Sequence, residues 1–159
     1  MRESVKKGFS FGLTSATITT LGLMVGLEAG TNSKLVVIGG ILTIAIADAF
    51  SDALGIHVSE EAENKHTNKE IWMSTLSTFT AKFFFALTFI VPVLFLDLAT
   101  AMILSVVWGV MALTYLSYRI AKSQKIRPWG VIGEHVFIAL LVVFIAHNVG
   151  HFISAFFGG

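Results

Sequence analysis

The sequence contains no cysteine and few charged residues, and both shortages exclude whole classes of protein. Without cysteine there can be no disulfide bond, thiolate metal site or thiol nucleophile, so any metal must be bound through oxygen, imidazole or thioether groups. Charged residues make up only 13% of the chain and hydrophobic residues 55%, whereas soluble domains average about 25% charged residues. This composition is typical of a membrane protein, with the lipid bilayer and not a nucleic acid as its partner.

The charged residues are confined to short stretches that separate five apolar segments, each near the roughly 20 residues needed to cross a bilayer. We therefore predict an all-α membrane protein with a single transmembrane domain over residues 1–159. The predicted helices cover residues 8–27, 35–58, 71–96, 98–118 and 129–157, with polar loops at 59–70 and 119–128. The first segment lacks a convincing cleavage site, so we interpret it as a retained helix.

Lysine and arginine are distributed unequally between the two predicted sides of the membrane. Only Lys34 lies on one side, while the other holds nine of these residues: Arg2, Lys6, Lys7, Lys65, Lys69, Arg119, Lys122, Lys125 and Arg127. The positive-inside rule then places the N-terminus in the cytoplasm and the C-terminus outside, most naturally in a prokaryotic plasma membrane. An odd number of helices argues against an inverted repeat within one chain, so we expect a homodimer to supply the symmetry.

Two acidic residues and a lysine are predicted to lie at membrane depth. Asp48 and Asp52 are four residues apart and share one face of the second helix, and Lys82 is similarly deep in the third. An ionised group at the bilayer centre costs at least about 2.5–3.5 kcal/mol on insertion scales. An Asp48–Lys82 ion pair would be the structural explanation, and a cation or proton site with one residual negative charge is the functional one.

Other polar residues have less specific interpretations. Thr14 and Thr17 on the first helix could line an ion path, although helix packing explains such hydroxyls more often. Glu60, Glu61 and Glu63, flanked by His57, offer oxygen and imidazole ligands for a divalent ion at the end of the second helix. A solvated helix end explains them equally well.

The fifth helix carries a further set of titratable residues. Glu134 lies near its cytoplasmic end and could take part in an ion pathway, while His147 and His151 share a face near the other end. The four-residue spacing of the two histidines suits a metal, but no third ligand is near in sequence and hydrogen-bonded histidines are the commoner explanation. A proton relay at this end is a further interpretation.

Two short motifs and the whole-chain layout resemble the vacuolar iron transporter family, which includes nodulin-like and yeast vacuolar iron and manganese carriers. The first motif is Gly12-Leu13-Thr14 followed by the apolar run at 22–27, and the second is Ser51-Asp52-Ala53-Leu54-Gly55 with its Glu-rich continuation. The resemblance implies five helices, an inside N-terminus and a dimer with its path between the first helices. Phe11 replaces the family's first-helix aspartate, Asp52 aligns with its methionine, and Lys82 has no counterpart.

The leading hypothesis from the sequence is a homodimeric transporter that exports a divalent metal cation in exchange for protons, with iron or manganese implied by the resemblance. Asp48 and Asp52 would bind the ion, the glutamates would concentrate it, and Lys82 would yield to it. The metal is then a transported substrate, and no cofactor or enzymatic activity is expected. The alternative is a non-transporting membrane module with a structural Asp–Lys pair that binds lipid or a partner subunit; a membrane-embedded metal enzyme ranks last.

Overall fold

The computed structural model describes residues 2–158, and over this range its regular structure is entirely helical. The elements are α1 (Arg2–Thr31), α2 (Lys34–Glu63), α3 (Asn68–Thr88), α4 (Ile90–Phe95), α5 (Leu98–Gln124) and α6 (Pro128–Phe157). Because α3 and α4 follow one another within a single span, the described chain has five helical segments long and apolar enough to cross a membrane. The predicted all-α architecture with five spans is confirmed.

Several helices extend further than the hydrophobic pattern predicted. The helices continue into the polar segments predicted at 59–70 and 119–128, α2 as far as Glu63 and α5 as far as Gln124, and short connections follow. The polar residues there are mostly good helix formers, which continue a helix once it leaves the apolar segment. What ends α2 is Asn64 in the left-handed conformation, and what starts α3 is a capping box between Thr67 and Glu70.

The third span is interrupted at Phe89, between α3 and α4. Pro92 is three residues further on and has no backbone N–H, so the carbonyl four residues earlier, that of Thr88, loses its helical hydrogen bond. The side chain of Thr88 accepts a hydrogen bond from Trp108 Nε1 of α5 at 3.0 Å, which ties the break to the neighbouring helix. Pro92 therefore causes the interruption, and the hydrogen bond from Trp108 of α5 stabilises it.

Helix α1 lies at the centre of the bundle and contacts α2, α3, α5 and α6. Glycines allow this close approach: a Cβ atom on Gly12 would lie 2.5 Å from the Thr78 carbonyl oxygen of α3, and one on Gly150 of α6 would lie 2.3 Å from the Gly26 carbonyl oxygen. Small residues at such contacts let helix backbones pack closely in lipid. The first half of α1 is thereby held against α3 and its second half against α6.

Consecutive spans run in opposite directions, which defines two ends of the bundle. We use "amino-terminal side" for the end that holds the start of α1, the end of α2 and the start of α3, and "opposite side" for the other end. On the opposite side Lys34 Nζ donates a hydrogen bond to the Leu96 carbonyl oxygen at 2.7 Å, joining the start of α2 to the end of α4. The residues of interest lie between these ends, where α1, α2 and α3 meet.

Candidate cation site at the junction of three helices

Lys82 of α3 is the centre of a polar cluster in the interior of the bundle. It is 1% exposed, and its Nζ atom donates a hydrogen bond to Ser15 Oγ of α1 at 2.8 Å. A second bond goes to Asp52 Oδ2 of α2, and Asp48 Oδ2 forms an ion-pair contact at 2.5 Å. The contact between Asp48 and Lys82 that the sequence predicted is therefore present, and Asp52 and Ser15 complete it.

The local structure of each helix explains why these groups meet. The two aspartates are four residues apart, so they project from the same face of α2 on successive turns. Lys82 belongs to the buried stripe of α3, which also includes Ser74, Thr78 and Ala86. Because Gly12 has no side chain, α1 can approach the backbone of α3 at Thr78. This close approach brings Ser15 within reach of the ammonium group. Gly12 is thus a packing requirement of the cluster.

Charge and exposure within the cluster are both unbalanced. Three oxygen atoms surround Lys82 Nζ: it donates hydrogen bonds to Ser15 and Asp52, while its contact with Asp48 Oδ2 is an ion pair without hydrogen-bond geometry. Two carboxylates face one ammonium, which leaves one formal negative charge. The side chains of Asp48 and Asp52 remain 27% and 19% exposed, while that of Lys82 is 1% exposed. The carboxylates are therefore the accessible part of the site.

The exposed face of Asp48 opens into a groove of about 720 Å³ between α1 and α2. The groove is mainly apolar but carries hydroxyl groups, and its lining residues are Thr19, Leu23, Leu27, Val36, Gly40, Thr43, Ile44, Ala47, Asp48 and Ser51. Val36 lies near the opposite side of the bundle and Ser51 lies near mid-helix. Because residues 36 to 51 of a helix span roughly 22 Å, the groove leads from the opposite side to the cluster.

A second ion-pair group joins α1 to the end of α2 on the amino-terminal side. Glu60 of α2 is 1% exposed, and Lys7 Nζ of α1 lies 3.2 Å from its Oε1 atom and 3.9 Å from Glu63 Oε1. His66 Nε2 lies 3.6 Å from the other carboxylate oxygen of Glu63. Glu61, by contrast, is exposed. The glutamates predicted to attract a metal are thus divided between a lysine-bound pair and a solvated residue.

Several residues suggested as parts of an ion path are placed elsewhere. Thr17 is fully buried, donates its hydroxyl to the Leu13 carbonyl oxygen at 2.8 Å and lies beside Gly109 of α5, so it is a packing residue. Thr14 is half-buried on α1. Glu134 is exposed on α6, a helix that packs against α1 and α5. The structure does not bring these residues to Lys82.

The two histidine motifs are also separate from the cluster. His57 Nδ1 lies 2.9 Å from Thr75 Oγ1 of α3, in a different cavity. His147 and His151 stack edge to face on exposed parts of α6, with ring centroids 4.5 Å apart. Within residues 2–158, no group of three or more histidine, aspartate or glutamate side chains is arranged to hold a metal ion. A cation at the cluster would therefore use the two aspartates with hydroxyl or water oxygens.

Sequence reasoning missed Ser15 and Lys7. Ser15 is one of many hydroxyl residues on α1, and the sequence does not fix how α1 is rotated against α3. Lys7 could have been found, because the start of α1 and the end of α2 were predicted on the same side with opposite charges. Both omissions concern contacts between helices, which periodicity within one helix does not define.

The fold and the cluster together define the class as a polytopic helical membrane protein with a charged site inside the bundle. A scan against protein-family models and a search of curated proteins each find no match to this chain. Its function is therefore argued from the site.

Proposed function

We propose that the protein is a secondary transporter that exports a divalent metal cation, Fe²⁺ or Mn²⁺, from the cytoplasm in exchange for protons. The observation that carries this proposal is that Lys82 Nζ is surrounded by Asp48, Asp52 and Ser15 oxygens in the interior of the bundle. The ammonium group occupies the position of a cation among oxygen ligands. A site built for one positive charge at this position can exchange it for another.

Where the ion replaces the lysine charge, charge balance favours a divalent over a monovalent cargo. With Lys82 protonated, the two carboxylates and the ammonium sum to one negative charge. A divalent ion beside neutral lysine gives a sum of zero, which is the least costly state in a medium of low dielectric. Carboxylate, hydroxyl and water oxygens suit hard ions such as Mn²⁺, and the cluster contains neither imidazole nor thioether. The site chemistry thus agrees with iron or manganese and favours manganese.

Proton exchange follows from the same arrangement. Lys82 is 1% exposed and faces two carboxylates, so an incoming divalent ion and the ammonium charge compete for the same oxygens. Binding of the ion releases the lysine proton, and return of a proton to Lys82 displaces the ion. This competition couples cation movement to proton movement in opposite directions through a single side chain.

In the proposed transport cycle the Lys7–Glu60 ion pair closes the amino-terminal side, and the α1–α2 groove leaves the opposite side open. Lys7 and the buried Glu60 hold α1 and α2 together on the amino-terminal side, whereas the α1–α2 groove connects Asp48 to the opposite side. The lysine and arginine distribution supports a cytoplasmic position for the amino-terminal side. On this reading the structure represents a state open to the outside, and separation of Lys7 from Glu60 and Glu63 admits the ion from the cytoplasm.

A homodimer is the arrangement that best protects the groove. Asp48 is 27% exposed toward it, and a charged group facing lipid tails near the bilayer centre costs at least about 2.5–3.5 kcal/mol. A second copy packed over α1 and α2 would replace lipid there and enclose water beside Asp48. This placement resembles that of the vacuolar iron transporter family, to which we propose that the chain belongs as a member with altered ligands.

A structural role for the cluster is the competing proposal, and the two hydrogen bonds and the ion pair of Lys82 favour it. A buried ion pair held in this way explains the burial of the lysine without any transport. In that case the protein is a membrane module that binds lipid or a partner subunit.

Transport of Mn²⁺ into proteoliposomes with a metal-sensitive dye inside separates the two proposals. We expect flux that increases with an opposing proton gradient, acidifies the donor side and disappears in the double variant Asp48→Asn, Asp52→Asn. The variant Glu134→Gln is a matched control, because that carboxylate is exposed on α6 away from the cluster. Flux that persists in the double variant rejects these aspartates as the transport site, and absence of flux in the unmodified protein supports the structural role.

A further inference from the structure

A second cavity, of about 560 Å³, lies between α2 and α3 toward the amino-terminal side. Its volume is within the roughly 300–1,000 Å³ of small-ligand sites. Its lining residues, which include three phenyl or indole rings, are Phe50, Ala53, Leu54, His57, Trp72, Thr75, Leu76 and Phe79. None of the residues of the Lys82 cluster lines this cavity.

The hydrogen bonds of Thr75 favour one tautomer of His57. Thr75 Oγ1 is placed to donate its single proton to the Ile71 carbonyl oxygen at 2.8 Å. With its proton used there, it accepts the bond from His57 Nδ1, 2.9 Å away. In the neutral imidazole the proton is then on Nδ1, and Nε2 presents a lone pair, with no hydrogen bond to it within residues 2–158. A ligand in this cavity meets a hydrogen-bond acceptor.

The groups around His57 are also electron-rich. Trp72 packs edge to face with the imidazole, with ring centroids 4.8 Å apart, and its indole is 64% exposed. Glu61 lies four residues after His57 on the same face of α2, one turn nearer the amino-terminal side, and is exposed. An imidazole lone pair, an indole face and a carboxylate together complement a cation that carries N–H donors.

We propose that this cavity binds a phospholipid with a primary ammonium headgroup, phosphatidylethanolamine. The acyl chain lies along Phe50, Leu54 and Phe79, and the ammonium group bonds to His57 Nε2 beside Trp72 and Glu61. Tryptophan is typical of the depth at which headgroups lie, so the polar end of the cavity meets the correct part of the lipid. Phosphatidylcholine has the same charge but no N–H donor, and the site therefore discriminates against it.

Native mass spectrometry of the purified protein, incubated with an equimolar mixture of the two lipids with identical chains, tests this assignment. We expect phosphatidylethanolamine to be retained about tenfold over phosphatidylcholine, the ratio expected from one hydrogen bond to a charged group. His57→Phe preserves an aromatic ring without the lone pair, and Glu61→Gln changes an exposed residue that folding does not require. Each variant should lower the ratio toward one.

His135→Phe is the matched control, because His135 forms a similar bond to a hydroxyl, that of Ser117 at 2.8 Å, on α5 and α6. It should leave the ratio unchanged. Equal retention of both lipids by the unmodified protein would overturn the proposal, as would an unchanged ratio in Glu61→Gln with native helix content. Preferential retention of phosphatidylglycerol in a parallel incubation would assign the site to anionic headgroups instead. None of these outcomes depends on metal transport, which the proteoliposome assay measures separately.

Discussion

Lys82 of α3 donates a hydrogen bond to Asp52 of α2 in the interior of the bundle, with the lysine almost fully removed from solvent. The bond joins two helices that the chain connects only through a short turn. Asp48 contacts the same Nζ atom, so removing the lysine leaves two carboxylates at membrane depth without a cation. Substituting Lys82 alone should therefore change the stability of the protein more than substituting Lys82 together with an aspartate.

The variant Lys82→Met is expected to destabilise the protein strongly. Breaking a buried pair by removing one partner typically costs about 3–5 kcal/mol, because the remaining charge has no compensation. Adding Asp52→Asn removes one of the stranded charges and should restore a large part of the loss. Thermal unfolding in detergent measures both variants. Lys69→Met, which removes an exposed lysine from the same helix, is the control and should have a small effect; equal losses in the single and paired variants would show that the cluster charges are not coupled.

Affinity for Mn²⁺ is expected to rise with pH in the unmodified protein. If binding of the ion displaces one proton from the cluster, linkage gives at most about a tenfold increase in affinity per pH unit. Titration calorimetry in two buffers of different ionisation enthalpy should count about one released proton per ion. Binding that is independent of pH, with no proton released, contradicts the proposed exchange.

Close packing of α1 against α3 is expected to depend on Gly12. A Cβ atom there would lie 2.5 Å from the Thr78 carbonyl oxygen, so Gly12→Ala forces the helices apart. Overpacking of this kind costs about 1–3 kcal/mol. Gly39→Ala is the matched control on α2, since a Cβ atom there has open space around it, and replacing a helical glycine favours the helix. Unfolding temperatures should fall for the first variant and stay level or rise for the second.

The absence of cysteine allows a direct test of the dimer over the α1–α2 groove. Ala47 lines the groove and is exposed, so Ala47→Cys should cross-link two copies with a short bis-thiol reagent in membranes. Phe137→Cys places an exposed thiol on α6 and is the control. Efficient cross-linking at position 137 and none at 47 would place any dimer contact elsewhere.

The start of α5 is expected to respond to acid through Asp97. A hydrogen bond from the Thr100 backbone N–H holds the pKa of this carboxylate below its ordinary value. A lowered folded-state pKa means that the cap stabilises at neutral pH and is lost as pH falls through that pKa. Asp97→Ala should therefore lower the unfolding temperature at pH 7 more than at acid pH, while Asp97→Asn keeps the cap and loses the pH dependence.

The number of spans and the depth match between Asp48 and Lys82 could be predicted from the sequence. Hydropathy gives the length of each apolar segment. Counting residues from the polar ends of a segment gives the depth of a side chain in the membrane. The extents of α2 and α5 could not be predicted, because Glu, Ala and Lys continue a helix beyond the membrane as readily as they form a loop. The helix ends depend on single residues such as Asn64 in the left-handed conformation.

The composition of the cluster could be predicted only in part. The sequence placed Asp48 and Lys82 together, but Ser15 enters the site only because Gly12 lets α1 approach α3. Thr17, which the sequence suggested as a path residue, lies beside Gly109 of α5 and is therefore outside the cluster. The rotation of a helix about its axis is set by packing against neighbouring helices. It cannot be predicted from the hydrophobic periodicity of that helix alone.

The central claim is that a divalent cation takes the place of the Lys82 ammonium between Asp48 and Asp52. A crystal soaked with Mn²⁺ at alkaline pH and measured near the manganese absorption edge tests it most directly. We expect an anomalous peak about 2.0–2.6 Å from a carboxylate oxygen of each aspartate, the range of oxygen ligand distances for hard divalent ions, with Lys82 Nζ displaced. A fully occupied peak elsewhere, with Lys82 still bonded to Asp52, would contradict the account.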